Sequence, residues 1–263
     1  MKTPPPGSST LVALERVGKI FRNGVTALSN LSLDIADGEF VSLVGPSGCG
    51  KSTALRIIAG LIQPSTGEVR WSADVPADHR EQIGFVFQEP TLMPWADVAD
   101  NVWLPQRLRG TSRRAARERI EESLALVGMT DFAKAFPHQL SGGMKMRVSI
   151  ARALSLKPRL LLMDEPFAAL DEMTRFRLND DLLHLRRHLN CTIVFVTHSI
   201  FESVYLSDRV AILSPRPGCV VAEVAIDAGH NRNADFRTSA RYVQTCREIS
   251  RRLADSDTAG VVP

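Results

Sequence analysis

The sequence contains few cysteines, and their spacing suggests no bridges between them. The four cysteines lie far apart and form no CxxC motif, at Cys49, Cys191, Cys219 and Cys246. A disulfide framework or a structural zinc site is therefore not expected, and a reducing compartment fits best. The sequence also lacks any run of about 18 apolar residues, so we expect no membrane-spanning helix.

The N-terminal residues argue against a secretory signal peptide, and the net charge argues against a nucleic-acid-binding protein. Residues 1–10 are rich in proline and serine and contain no apolar core, so we expect a disordered tail and not a signal peptide. Lysine and arginine number 32 and the acidic residues 29, a net charge of +3. Proteins that bind the nucleic-acid backbone usually show a concentrated basic face, which this balance does not suggest. We therefore expect a cytoplasmic protein that does not bind nucleic acid.

The length of 263 residues fits one large domain or a domain with an inserted subdomain. Near-continuous apolar strands alternate with helices, which indicates a parallel sheet covered on both faces. The pattern becomes mainly helical over residues 90–158, so we expect a helical subdomain inserted there. The expected strands cover residues 11–17, 31–35, 40–44, 68–71, 83–87, 159–163, 191–196, 209–213 and 219–226, and the expected helices cover residues 112–127, 141–153, 173–189 and 235–253.

One glycine-rich stretch has the context of a phosphate-binding loop. It follows the apolar run Phe40–Val44, precedes a helical segment, and consists of Gly45, Pro46, Ser47, Gly48, Cys49, Gly50, Lys51, Ser52 and Thr53. Glycines let the backbone turn its N–H groups toward phosphate oxygens, and the helix adds the positive end of its dipole. In this motif Lys51 reaches the β- and γ-phosphates and the Ser52 hydroxyl binds Mg²⁺. The alternative is a glycine-rich turn that only joins a strand to a helix. Within the loop, we expect the Cys49 thiol to be exposed to alkylation.

Polar residues follow three other apolar strands. Asp164 and Glu165 end the strand that begins at Leu160, where the first carboxylate would hold Mg²⁺ and the second would act on the attacking water as a general base. His198 follows the strand 191–196, where it can reach the γ-phosphate and orient that water. Gln88 ends the strand 83–87 and offers an amide to Mg²⁺ or water.

A second glycine-containing helix start lies at Leu140–Met144. Ser141 is expected to cap this helix, and Gly142 and Gly143 follow it, so this turn is a second anion-binding helix start. One nucleotide cannot easily use both glycine-rich turns of the same chain if they sit in separate subdomains. A head-to-tail homodimer, in which each chain presents Ser141 to its partner's nucleotide, would satisfy that geometry.

Taken together and in this order, these motifs resemble the ATPase subunit of an ABC transporter over roughly residues 11–226. The resemblance implies an α/β fold: a P-loop NTPase (RecA-like) core with an N-terminal antiparallel β subdomain and an inserted α-helical subdomain. It also implies ATP and Mg²⁺ as cofactors, Phe21 as the aromatic residue that stacks on adenine, and Asp171 as a nucleotide-binding residue of the D-loop. Met144 departs from the family pattern, which usually has glutamine there.

A narrower resemblance is to bacterial importers of the nitrate, sulfonate and taurine type. It is carried by Phe87–Trp95, Met173–Arg175 and Leu213–Gly218. It implies an ATPase coupled to solute transport, peripheral on the cytoplasmic face of the inner membrane. The partners would be a second ATPase subunit, transmembrane permease subunits and, indirectly, a periplasmic or lipid-anchored substrate-binding protein.

In such an importer the stretch after Gln88 would receive the permease, through the apolar residues Leu92, Pro94 and Trp95. The ATPase domain would cover residues 11–229, and residues 230–263 would be a short C-terminal extension. The alternatives are an exporter ATPase or an ABC protein without a permease, such as a DNA-maintenance ATPase.

Overall fold

The structure is a computed structural model that describes residues 9–76, 78–189, 191–227 and 232–259. The predicted disordered tail therefore lies almost entirely outside the described residues. In the described part, the strands are β1 (Thr10–Ile20), β2 (Thr26–Ala36), β3 (Phe40–Val44), β4 (Thr66–Trp71), β5 (Ile83–Val86), β6 (Leu160–Asp164), β7 (Thr192–Val196), β8 (Arg209–Leu213) and β9 (Val220–Ala225). The α-helices there are α1 (Lys51–Ile58), α2 (Val98–Leu108), α3 (Arg117–Leu126), α4 (Gly142–Leu154), α5 (Glu172–His188), α6 (Ile200–Leu206), α7 (Ala234–Thr238) and α8 (Ala240–Ala259).

The chain forms two compact units, which are described separately. The first consists of Met1–Arg80 and Thr192–Pro263, and the second of Glu81–Cys191. None of the helices in the described ranges combines the length and hydropathy needed to cross a membrane.

The first unit contains an antiparallel sheet in the order β2-β1-β4. Leu14 is opposite Leu33 on one side and Val69 on the other, so apolar side chains face one another across the sheet. This agrees with the predicted N-terminal antiparallel strands. Both β1 and β2 are longer than expected. β1 continues to Ile20, and β2 begins at Thr26 and includes the exposed polar residues Ser29 and Asn30, which interrupt its apolar pattern.

A second sheet of the first unit brings three chain segments to one edge. β3 lies between β7 and β8 and is parallel to both, and β9 is antiparallel to β8. Every residue of β3 and β7 is buried, as expected for strands covered on both faces. Because the carboxyl ends of parallel strands share one edge, the loops that begin after Val44, Val196 and Leu213 all leave from it.

The C-terminal segment contains two helices, where a single helix over residues 235–253 was expected. The break falls at Ser239, whose hydroxyl oxygen accepts a hydrogen bond from the Tyr242 amide at 3.2 Å, so that this serine caps α8. The Tyr242 hydroxyl donates to the Phe201 carbonyl at 2.9 Å, which ties α8 to α6. Because Ser239 lies within a polar stretch, the sequence alone did not indicate that a new helix begins there.

The second unit contains the parallel pair β5 and β6 together with α2–α5. A Cβ on Gly84 would lie 3.0 Å from the Ala153 carbonyl oxygen, so this glycine allows α4 to approach β5 closely. Two expectations were wrong here. The strand ends at Val86 and is half-buried, where a buried strand through Phe87 was predicted, and α3 begins at Arg117, because residues 113–116 form turns before it.

Candidate nucleotide-binding site

The glycine-rich loop connects β3 to α1 in a conformation that two of its glycines make possible. Gly48 and Gly50 have φ angles of 75° and 104°, in the region that residues with a side chain rarely adopt. A Cβ on Gly50 would lie 2.6 Å from Leu28 Cδ2 and 2.8 Å from the Ala27 carbonyl oxygen. The loop therefore depends on glycine for its backbone angles and, at Gly50, for its contact with β2.

The buried ammonium group of Lys51 gives this loop the chemistry of an anion site. Lys51 is 3% exposed, and its Nζ donates to the carbonyl oxygens of Gly45 and Pro46, both at 2.9 Å. Carbonyl oxygens carry only partial negative charge, so a phosphate is a stronger partner for a buried cation. The first turn of α1 has no acidic residue and its N-cap makes no side-chain hydrogen bond. This end of α1 therefore adds the positive end of the helix dipole to the site.

Cys49 is the buried member of the loop. Its side chain has no solvent exposure, which contradicts the expectation that this thiol would be open to alkylation. Burial raises the pKa of the Cys49 thiol, and the nearby charge of Lys51 opposes this only in part. The thiol therefore remains protonated at neutral pH, and the residue contributes to the loop through its backbone.

Phe21 lies in the turn after β1 and presents an accessible ring. It is 39% exposed, and the Lys19 Nζ lies 5.7 Å from its ring centroid. Lys19 is itself held by a 2.6 Å hydrogen bond to the Gln63 carbonyl. An exposed aromatic face beside a fixed cation suits a purine base, and stacking on adenine is the role that the resemblance implies for Phe21.

His198 lies in the short turn between β7 and α6. The hydroxyl of the preceding Thr197 is buried, donates to the Glu202 carboxylate at 2.5 Å and accepts from the Ser199 amide at 3.0 Å. Ser199 in turn caps α6 by accepting from the Glu202 amide at 3.2 Å. The residues on both sides of His198 are therefore fixed, while the imidazole itself is exposed.

The two adjacent carboxylates of the second unit differ in backbone and in burial. Asp164 ends β6 and is 6% exposed. Glu165 follows with a φ angle of 49°, in the left-handed region that is uncommon for glutamate. Such backbone strain is typical of functional sites, where the surroundings hold a side chain in a required direction.

Gln88 and the stretch after it form an exposed segment with buried supports. Arg152 of α4 donates to the carbonyl oxygens of Pro90 and Thr91, both at 2.8 Å. Asn101, fully buried in α2, accepts from the Met93 amide at 2.7 Å and donates to three carbonyl oxygens of residues 93–97. The backbone of this segment is thus held by hydrogen bonds to α2 and α4, while the Trp95 side chain is 78% exposed.

The second glycine-containing turn begins α4, as predicted. The Ser141 hydroxyl accepts a hydrogen bond from the Met144 amide at 3.3 Å. A Cβ on Gly143 would lie 2.7 Å from Thr174 Cγ2, and one on Gly142 would lie 3.2 Å from Leu170 Cδ2. Ser141 and Gly142 are exposed, so this turn is open to a molecule outside the chain.

Asp171 caps helix α5. Its carboxylate accepts a hydrogen bond from the Thr174 amide at 2.9 Å. Hydrogen bonding to Thr174 lowers the pKa of the Asp171 carboxyl below its ordinary value. A role of Asp171 in nucleotide binding, which the resemblance implies, would add to this capping role.

Arg216 is a residue of the loop surroundings that the sequence did not identify. Its Nε donates to the Gly48 carbonyl oxygen at 3.0 Å. Only the sheet topology indicates that Arg216 lies near the glycine-rich loop. Arg216 follows β8, which is the parallel neighbour of β3, so the two loops leave from the same edge of the sheet. Recognising it required the strand order, which the sequence did not provide.

Known proteins that resemble this chain are nucleotide-binding proteins of one family. The family model for ABC transporters matches residues 28–168. The aliphatic sulfonates import ATP-binding protein of Xanthomonas axonopodis pv. citri is 47% identical over 89% of this chain and 92% of its own length. The nitrate import ATP-binding protein of Synechocystis is 40% identical over 92% of each chain. The taurine import ATP-binding protein of Rhizobium johnstonii is 45% identical over 77% of this chain and 78% of its own length.

A solved structure shows the same fold. It is the dimeric post-hydrolysis state of the ATP-binding cassette MJ0796, bound to ADP and phosphate. The likeness has a TM-score of 0.70 and 37% sequence identity, and it covers 82% of this chain and 99% of the other. The predicted fold class, an α/β nucleotide-binding cassette, is confirmed.

Proposed function

The chain belongs to the ABC transporter family of ATP-binding proteins, and we propose that it is the ATP-hydrolysing subunit of an importer for sulfonate, nitrate, taurine or a related small solute. One observation carries the proposal: a glycine-rich loop with a buried lysine, fit for phosphate, in a chain 40–47% identical to named import ATP-binding proteins. The rival classes, an exporter ATPase and a DNA-maintenance ATPase, have no comparable support.

The glycine-rich loop and Phe21, both in the first unit, would hold the phosphates and the base of the nucleotide. The loop amides and Lys51 bind the phosphates, and Phe21 stacks on the base. Ser52 is the proposed Mg²⁺ ligand of this unit, and Asp164 and Gln88 are the ligands proposed from the second unit, since hydroxyl, carboxylate and amide oxygens are the hard donors that this ion takes. When bound, Mg²⁺ neutralises charge on the phosphates.

Two side chains act on the water that attacks the γ-phosphate. The Glu165 carboxylate accepts a proton from this water as a general base, and its left-handed backbone fixes the direction from which it does so. His198 orients the water from a turn whose flanking residues are held by hydrogen bonds. Hydrolysis then rests on positioning and charge stabilisation, as is usual for phosphoryl transfer.

A second copy of the chain completes each nucleotide site. The exposed Ser141 and Gly142 begin a helix of 13 residues, and the amide end of that helix suits the γ-phosphate of a partner's ATP. Two chains joined head to tail would close over two ATP molecules and reopen after hydrolysis. This alternation would drive the permease between its two orientations.

The segment 90–97 is the proposed docking site for the permease. Its backbone is fixed by Arg152 and Asn101, so its exposed apolar tip keeps one shape for a partner. Trp95 is the best anchor there, because exposed tryptophans often carry much of the energy of an interface. The protein would then lie against the cytoplasmic face of the membrane, bound to permease subunits that receive solute from a substrate-binding protein.

The test of the proposal is ATP-dependent dimerisation of Glu165→Gln. We expect this variant to bind ATP with wild-type affinity, to lose turnover by roughly 10²–10⁴-fold and to convert from monomer to dimer in static light scattering when Mg-ATP is added. The matched control is Glu118→Gln, which removes an exposed carboxylate from α3 and should keep wild-type turnover.

Two results would contradict the proposal. Near-normal hydrolysis by Glu165→Gln would remove Glu165 from the role of base. ATP bound without any dimer would show that Ser141 and Gly142 do not complete a partner's site in the isolated protein.

The docking site is tested by Trp95→Ala in membranes that contain the permease. We expect the variant to keep its basal ATPase activity and to lose permease binding by roughly 10-fold or more, as for a truncated interface anchor. Leu108→Ala is the control, since Leu108 is 80% exposed at the end of α2 in the same unit. Equal permease binding by both variants would place the permease elsewhere on the chain.

A further inference from the structure

The loop after β8 lies directly against the glycine-rich loop. A Cβ on Gly218 would lie 2.0 Å from the Cys49 carbonyl oxygen, so the two backbones touch and only glycine fits. At the other end, a Cβ on Gly45 would lie 2.9 Å from the Leu213 carbonyl oxygen. The segment Ser214–Gly218 is therefore an outer wall of the nucleotide-binding loop, within the first unit.

Several hydrogen bonds hold this wall in place. The Gly218 amide donates to the Ala27 carbonyl at 2.9 Å, and the Ser29 amide donates to the Gly218 carbonyl at 3.0 Å. The Ser214 hydroxyl donates to the Pro217 carbonyl at 3.1 Å and accepts from the Cys219 amide at 3.0 Å. The backbone that carries Arg216 is thus anchored on both sides of that residue.

Arg216 extends from the wall onto Gly48. Its Nε donates to the Gly48 carbonyl oxygen at 3.0 Å, and one terminal guanidinium nitrogen lies 2.9 Å from the position that a Cβ on Gly48 would take. The guanidinium therefore covers the open side of the residue whose φ angle of 75° turns the loop.

Holding this carbonyl also fixes the next amide. In a trans peptide the C=O of Gly48 and the N–H of Cys49 point in opposite directions. With the carbonyl directed outward to Arg216, the Cys49 amide is directed into the loop, where it donates to the Pro46 carbonyl over a long 3.3 Å. A bond of that length is weak, so a phosphate oxygen would compete for the same amide.

We propose that Arg216 is a positioning residue for ATP binding, which keeps the Gly48–Cys49 peptide in the orientation that binds phosphate. The inference rests on the proposed function, because it requires that the loop hold ATP. Arg216 acts on the loop backbone through its hydrogen bond to Gly48, whereas the roles in water activation are assigned to other residues. Its loss should therefore change ATP affinity and leave the catalytic rate at saturation unchanged.

The test compares three variants of this region. ATP affinity is measured by calorimetric titration with Mg-ATP in the Glu165→Gln background, and KM and kcat are measured in the otherwise wild-type chain. We expect Arg216→Ala to weaken ATP affinity and raise KM by roughly three- to tenfold, with kcat unchanged. Arg216→Lys should lose as much, because lysine keeps the charge but has no donor at the Nε position.

Arg252→Ala is the matched control. Arg252 lies on α8, lines with Arg216 a cavity of about 590 Å³, and pairs with Glu248 of its own helix at 2.6 Å. Its removal takes the same charge from the neighbourhood without touching the loop, so wild-type affinity is expected. A loss of affinity equal to that of Arg216→Ala would show that general charge is responsible, and it would overturn the positioning role.

The remaining outcomes separate this inference from the proposed function. Undiminished ATP binding by Arg216→Ala would refute the inference and leave the ATPase proposal intact. Wild-type ATP affinity of Arg216→Lys would show that only the positive charge of Arg216 matters, and it would also refute the inference. If the parent Glu165→Gln chain bound no ATP, the proposed function itself would fail.

Discussion

The two glycine-rich helix starts of this chain look alike in sequence and are built differently. In the loop before α1, Gly48 and Gly50 have left-handed backbone angles, and no side chain caps the helix. In the turn before α4, the Ser141 side chain caps the helix. Position 143 there requires glycine because the Thr174 side chain leaves no room for a Cβ. Glycine serves backbone conformation in the first turn and side-chain packing in the second.

This difference indicates how each turn is used. The loop before α1 contains its own cation, Lys51, so it can bind an anion within one chain. The turn before α4 has its first amides partly satisfied by its own serine and is exposed. It can exchange that cap for a partner's phosphate only when a second chain brings the phosphate to it. A monomer should therefore bind ATP through the first turn and dimerise through the second.

The largest effect is expected from adding one methyl group to each turn. Gly50→Ala places a side chain at a φ angle of 104° and against the β2 backbone, so ATP affinity should fall by roughly 10–100-fold. Gly143→Ala makes its one short contact with the Thr174 Cγ2, at 2.7 Å, and should cost about 1–3 kcal/mol of stability by overpacking.

A second substitution separates the two kinds of glycine. Thr174→Ser removes the methyl group that Gly143→Ala would strike, so the double variant should regain most of the lost Tm. No side-chain deletion should restore ATP binding to Gly50→Ala, because shortening Leu28 would still leave the Ala27 carbonyl oxygen at 2.8 Å and the φ angle of 104°. Failure of Thr174→Ser to rescue would show that Gly143 is also needed for its backbone.

The next effect concerns the serine cap. Ser141→Ala removes the hydrogen bond to the Met144 amide and should lower stability by about 1 kcal/mol, the usual cost of a lost N-cap. ATP binding by the monomer should be unchanged, while ATP-dependent dimerisation in the Glu165→Gln background should be lost. Reduced ATP affinity of the monomer would contradict the division of roles between the two turns. Ser199→Ala, at the cap of α6, is unsuitable as a control because it adjoins His198, so Ser239→Ala at the cap of α8 serves instead.

The sequence predicted those features that depend on residues close together in the chain. The loop at Gly45–Thr53, the cap at Ser141 and the core strands are local patterns, and the structure has them where expected. Arg216 and Gly48 are 168 positions apart, and Arg152 and Thr91 are 61 apart, so neither contact has a local signature. The contact of the Cys49 backbone with Gly218 of the loop after β8 likewise has no local signature. The roles assigned to Glu165, His198 and Gln88 stay predictions until the variants are measured.

The smallest effect distinguishes the serine cap of α4 from the aspartate cap of α5, through their response to pH. Hydrogen bonding to Thr174 lowers the folded pKa of Asp171 below its unfolded value, so its stabilisation is complete above the unfolded pKa and is lost as pH falls through the folded pKa. Asparagine caps helices as well as aspartate does but does not titrate in this range. Asp171→Asn should therefore match the wild-type Tm at pH 7 and exceed it in melts below pH 4, whereas Ser141→Ala should be destabilised equally at both pH values. A Tm difference between Asp171→Asn and the wild type that stays constant on acidification would show that the Asp171 cap is not linked to protonation.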